Sequence, residues 1–144
     1  MDAALLDTDI LTEFFKGQNV VVRGHADAYL QTHGQFAIYA FTHYEIVRGL
    51  RFKSASTKLK AFDALCQGVQ IYPVTSEVLN RTADLWVAGR TGGHPHRDAD
   101  LIIAATALEH GRALITGNTA HFQWVPGLQI DNWRQTDHPR CPGP

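Results

Sequence analysis

Four acidic positions stand at the ends of apolar runs. Asp7 closes Ala3-Ala4-Leu5-Leu6, Glu45 follows Phe36-Ala37-Ile38-Tyr39, and Asp98 and Asp100 open the apolar stretch that begins at Leu101. Carboxylates beside buried segments are costly unless they share a task. A divalent cation is the usual means of holding several together, and oxygen-only ligation favours Mg²⁺ or Mn²⁺.

Each acid also has a structural reading. Asp9 suits the cap of the helix after the first apolar run, which leaves Asp7 for chemistry. Glu45 completes a capping box in Thr42-His43-Tyr44-Glu45, and a helix N-terminus favours an anionic ligand residue there as well. Asp98 fits a helix cap as well as it fits a ligand. Asp100, on the first turn of an apolar helix, is the preferred ligand of that pair. The eight histidines lack zinc-site spacing, with no H-x-x-x-H pair and no cysteine partners. His121 alone falls near the expected crevice. Arg48, Arg51, Lys53, Lys58 and Lys60 form a run without an acid between Glu45 and Asp63. It reads either as a solvated helical face or as a patch that tracks phosphates, and Arg90, Arg97, His94 and His96 could add a second rim.

The elements that must position these residues alternate. Residues 3–6, 36–39, 69–74, 113–116 and 128–130 read as strands. Helices are expected over 10–16, ended by Gly17, and over 20–33, ended by Gly34. One opens at Thr42 and buries Tyr44, Val47 and Leu50. Another covers 54–66, ended by Gly68. A fifth is capped by Thr75 or Ser76 and runs to 88, with Val78, Leu79, Ala83 and Trp86 on its inner face. After a loop over 89–97, the last covers 98–110 and stops at Gly111. The pattern predicts an α/β domain with a central, mostly parallel, four- to five-stranded sheet flanked by helices. Ligands of such sheets bind outside the carboxyl ends of the strands. Asp7, Glu45, residues 118–121 and the helix start at Asp98 are therefore expected on one edge.

Bulk composition agrees with one soluble domain over residues 1–133 of the 144. Residues 134–144, with three prolines and no core signal, read as a disordered tail or an expression remnant. The chain is 44% hydrophobic and 19% charged with a net charge of -1, so polyanion binding must rely on local patches. Cys66 and Cys141 form no disulfide framework, Asp7 and Asp9 interrupt the only N-terminal apolar stretch, and no run is long enough to span a bilayer. A cytoplasmic protein without membrane contact is expected.

Four segments resemble the PIN-domain ribonucleases, most of all the VapC toxins of bacterial toxin–antitoxin pairs. They are Leu5-Leu6-Asp7-Thr8-Asp9-Ile10-Leu11, Thr42-x-x-Glu45-x-x-x-Gly49, the run from Asp98 through Asp100 to Ala107, and Thr116-x-Asn118-x-x-His121-Phe122 followed by Pro126-Gly127-Leu128. The resemblance spans residues 3 to 133. It implies an endoribonuclease dependent on Mg²⁺ or Mn²⁺, with Asp7, Glu45 and Asp100 as its catalytic acids and metal ligands. The family's fourth acid precedes the phenylalanine of the last motif, and here His121 takes that place. Asp98 is then a candidate further ligand, and His121 a candidate neutral ligand or a donor behind the ligands. Thr8, Thr116 and Asn118 would line the site through hydrogen bonds, and Arg48, Arg51, Lys53 and Arg97 are candidates for RNA contact. A cognate antitoxin lying across the helices and a homodimer are also implied.

Two other readings remain open. Asp7-Thr8-Asp9 after an apolar strand also resembles the nucleophile motif of haloacid-dehalogenase-type phosphatases, with Asp7 as nucleophile and Asp9 as acid–base. His121 in place of an acid is compatible with a catalytically silent module of the same fold that binds RNA or a protein.

Overall fold

The computed structural model describes residues 2–93 and 95–136. In chain order it contains β1 (Ala4–Leu6), α1 (Thr8–Lys16), α2 (Val20–His33), β2 (Ala37–Tyr39), α3 (Ala40–Phe52) and α4 (Ser56–Cys66). These are followed by β3 (Gln70–Tyr72), α5 (Ser76–Thr91), α6 (Asp98–Glu109), β4 (Ala113–Ile115), a 3₁₀ turn (Thr119–His121) and β5 (Ile130–Asp131). All strand pairs are parallel, as the alternation predicts, but the strands divide into a three-stranded sheet ordered β1-β4-β5 and a pair β2-β3. β1 and β2 lie side by side between the two groups.

β1 is buried on both faces. Leu5 packs with Leu114, Ile103 and Ala104, whereas Ala4 and Leu6 pack with Ile10, Tyr29, Phe36 and Ile115. Alternate side chains of one short strand thus feed two cores, the pattern of a parallel sheet covered by helices. Gly17 and Gly34 end α1 and α2 in the left-handed conformation, with φ of 70° and 80°, which costs glycine little.

Four local expectations change. α3 starts at Ala40, straight from the last residue of β2, with Tyr39 as its cap residue and no side-chain cap. Thr42 is therefore inside the helix and fully buried, and the capping box with Glu45 does not form. Tyr44, expected inside, is half exposed. On α5 the buried face is Val78, Thr82, Leu85 and Gly89, while Leu79 and Trp86 face outward. The small residues Thr82 and Gly89 allow close packing against the alanine-rich α6, so volume rather than apolarity selects the face. α5 itself continues to Thr91, into the expected loop.

Cys66 is a free thiol, and Cys141 lies outside the described residues. Of the expected tail, residues 137–144 also lie outside them. Arg134 and Gln135 make defined contacts with Asp9, Glu13 and His25. No helix among the described residues is long and apolar enough to cross a membrane.

Candidate active site

Asp7 leaves the end of β1, where its amide still donates to Ile115 O at 2.8 Å and prolongs the β1–β4 ladder. Its carboxylate does two jobs. Oδ1 accepts from the Thr8 amide at 2.8 Å as the cap of α1, and Oδ2 accepts from Thr116 Oγ1 at 2.8 Å. Asp7 and not Asp9 is thus the cap, contrary to expectation, because helix α1 begins at Thr8. Asp9 sits in the first turn and accepts from the Gly117 amide at 2.9 Å. Capping does not disqualify Asp7 from chemistry, since each carboxylate oxygen retains a second lone-pair direction.

Glu45, on the second turn of α3, reaches back to α1. Thr8 Oγ1 lies 2.8 Å from Glu45 Oε1 and 2.9 Å from Thr42 Oγ1. Thr8 has one hydroxyl proton, which serves the carboxylate, so the Thr42 hydroxyl donates to Thr8. Asp100, on the first turn of α6, lies 3.5 Å from His121 Nδ1. Asn118 donates its amide to Thr116 Oγ1 at 3.0 Å, closing the turn after β4.

Tyr39, which the sequence reading overlooked, lies among these groups. The phenol is buried and donates to Ala99 O at 3.3 Å, and Tyr39 is the last residue of β2, the strand beside β1. Burial, then the negative charges of Glu45, Asp7 and Asp100, hold it far above the usual tyrosine range. Its place as the last residue of a strand was the available signal. Burial and repulsion from Asp9 and Asp100 also push Asp7 up, to about 6, against the hydrogen bonds from Thr116 and Thr8. Asp7, Glu45 and Asp100, from three separate segments, therefore share one electrostatic environment.

Asp98 does not join them. Arg97 is the cap residue of α6, so Asp98 is fully helical and exposed, two residues and roughly 200° around the axis from Asp100. Of the basic candidates, Arg48 lies 3.8 Å from Glu45 and stacks on the exposed Tyr44 ring, and Arg51 is exposed in the last turn of α3. Arg97 is exposed beside α6. Lys53 lines a groove of about 610 Å³ with Phe15, Ile46, Leu50, Lys16 and Lys58, and Thr8 and Glu45 also line it.

The donor set is oxygen only, and its charge is poorly compensated, with Arg48 and His121 both largely exposed. Those properties fit a hard divalent cation. Among the described residues, however, no three His, Cys, Asp or Glu side chains close tightly enough around a point to grip an ion. The fit is one of chemistry and charge rather than of finished geometry.

A model of the PIN domain matches residues 4–127. This chain belongs to the PIN-domain family. Among solved structures, the PIN domain is similar to a chain of a toxin–antitoxin complex from Klebsiella pneumoniae, at 28% identity and a TM-score of 0.71, covering 90% of this chain and 97% of that one. It also shares its fold with chains of VapBC2 from Rickettsia felis bound to a promoter DNA fragment (19%, TM-score 0.81, covering 90% and 98%) and of VapBC-1 from nontypeable Haemophilus influenzae (23%, TM-score 0.79, covering 92% and 98%). No curated protein matches the chain. The PIN assignment displaces the phosphatase reading, and Asp9, needed there as acid–base, is instead bonded to Gly117 and faces Arg134.

Proposed function

We propose that this PIN domain is a metal-dependent endoribonuclease, the toxin of a toxin–antitoxin pair, with Asp7, Glu45 and Asp100 as its working acids. The observation that carries the reading is a PIN domain in which Asp7, at the end of β1, is bonded to Thr116 and to the Thr8 amide, while the Thr8 hydroxyl holds Glu45. Mg²⁺ or Mn²⁺, held by those acids, would supply an activated water and neutralise charge on the phosphate. Thr8 orients Glu45, and Thr116 orients Asp7. Asn118 in turn fixes the Thr116 hydroxyl. His121 stands beside Asp100 where the family's fourth acid would add a further negative charge. Arg48, Arg51, Lys53 and Arg97 offer phosphate contacts that the net charge of -1 does not supply as a whole.

The lysine-rimmed apolar groove at Thr8 and Glu45 suits an antitoxin segment with apolar side chains and acidic flanks, which would cover the acids. A homodimer is part of the same reading, and Leu79 and Trp86 on the outer side of α5 are large apolar groups available to it. Incubation of purified wild type and Asp7→Asn with a mixed RNA pool, with Mg²⁺ or with a chelator, tests the activity. Internal cleavage by wild type plus metal alone is expected. RNA binding without cleavage in every arm would instead favour the silent module.

A further inference from the structure

We propose that Arg134 is a positioning residue for this site: through Asp9 it holds the turn at 116–118 against α1, so that Thr116 keeps Asp7 oriented. The inference rests on the nuclease reading above.

Arg134 Nη1 lies 3.6 Å from Asp9 Oδ2, and Nη2 lies 3.8 Å from Glu13 Oε1. The same Asp9 Oδ2 accepts from the Gly117 amide at 2.9 Å. On either side of Gly117, Thr116 donates to Asp7 and Asn118 donates to Thr116. A short path of polar contacts therefore joins the segment after β5 to a catalytic carboxylate. The guanidinium starts from a fixed backbone, because Trp133 is buried and the Arg134 amide donates to Asn132 Oδ1 at 3.0 Å.

Two further observations mark this contact as a tight fit. Asp9 Oδ1 is buried with no hydrogen-bond partner among the described residues, so the carboxylate depends on what Oδ2 finds. A Cβ on Gly117 would collide with both the Arg134 guanidinium and Asp9 Oδ2. The φ of Gly117 is not positive, so what the glycine supplies here is room: a side chain at 117 would displace the Arg134 guanidinium from Asp9. Removing Arg134 would leave Asp9 as a part-buried charge without that counter-charge, free to swing away from Gly117.

The test compares full-length wild type, Arg134→Ala, Arg134→Lys and Asp9→Asn/Arg134→Ala. Amide exchange at Gly117 and Asn118 is followed by NMR in metal-free protein, Mn²⁺ affinity by calorimetry, and RNA cleavage as kcat and KM. In Arg134→Ala, Gly117 exchange should accelerate, Mn²⁺ should bind about tenfold more weakly, the loss typical when a residue behind a metal ligand is removed, and KM for RNA should hold. Lysine should recover part of the loss. The double variant should recover most of it, since the carboxamide oxygen introduced by Asp9→Asn still accepts from Gly117 and needs no counter-charge. Unchanged exchange and Mn²⁺ affinity in Arg134→Ala, or a loss confined to thermal stability, overturns the proposal. Should wild type take up no Mn²⁺, the nuclease reading falls, and the clamp is decided by Gly117 exchange alone.

Discussion

Thr116 donates a 2.8 Å hydrogen bond to Asp7 across 109 residues of sequence, tying the end of β4 to the end of β1 at the candidate active site. The hydroxyl is fully buried and also accepts from the Asn118 amide. Thr116→Val keeps the shape but leaves a carboxylate oxygen and an amide without that partner. A stability loss of about 1–3 kcal/mol is expected by chemical denaturation, together with a fall in kcat.

Asp7 makes the metal-free protein sensitive to pH. Its folded-state value is raised from 3.8 to about 6, so folding favours the protonated acid. The associated stability is fully present below pH 3.8 and is lost as pH rises through about 6, by up to ~3 kcal/mol. Asp7→Asn should remove this dependence. Measured by denaturation without metal, the variant should gain on wild type across that window and be more stable at pH 7, while being inactive.

His121 is expected to limit metal affinity. His121→Asp would put a second carboxylate beside Asp100, where the imidazole now stands 3.5 Å away. Like charges should lower metal-free stability, whereas Mn²⁺ should bind several-fold tighter, because affinity for a hard cation rises with the number of charged oxygen ligands. Calorimetry together with thermal melts, with and without Mn²⁺, reads both signs.

Arg51 and Lys53 should act on RNA binding and not on chemistry. Alanine at either position is expected to raise KM with kcat unchanged. The salt slope of binding should flatten by about 0.7 per lost single-strand phosphate contact. Fluorescence anisotropy with a labelled RNA over a salt series measures it.

The order of elements was legible because Gly17, Gly34, Thr75 and the apolar runs mark their own boundaries. So was the meeting of Asp7 with the turn that follows β4, since parallel strands present their carboxyl ends on one edge. What failed was assignment between neighbours. Asp7 or Asp9, Asp98 or Arg97, and Thr42 or Tyr39 as cap depend on where a helix begins to within one to three residues, and several capping residues compete there. The outward side of α5 was misjudged because Trp86 and Leu79 look like core residues until Gly89 and Thr82 are seen against α6. Arg134 carried no local signal, since its partners are Asp9 and Glu13, over 120 residues away.

Calorimetric titration of Mn²⁺ into wild type, Asp7→Asn, Glu45→Gln and Asp100→Asn, with RNA cleavage followed in the same preparations, addresses the shared site most directly. Wild type should bind the ion and cut RNA, and each variant should lose both while remaining folded. Uptake by wild type that none of the three substitutions weakens, or RNA cleavage that persists in Asp7→Asn, would contradict a common metal-dependent site built from these acids.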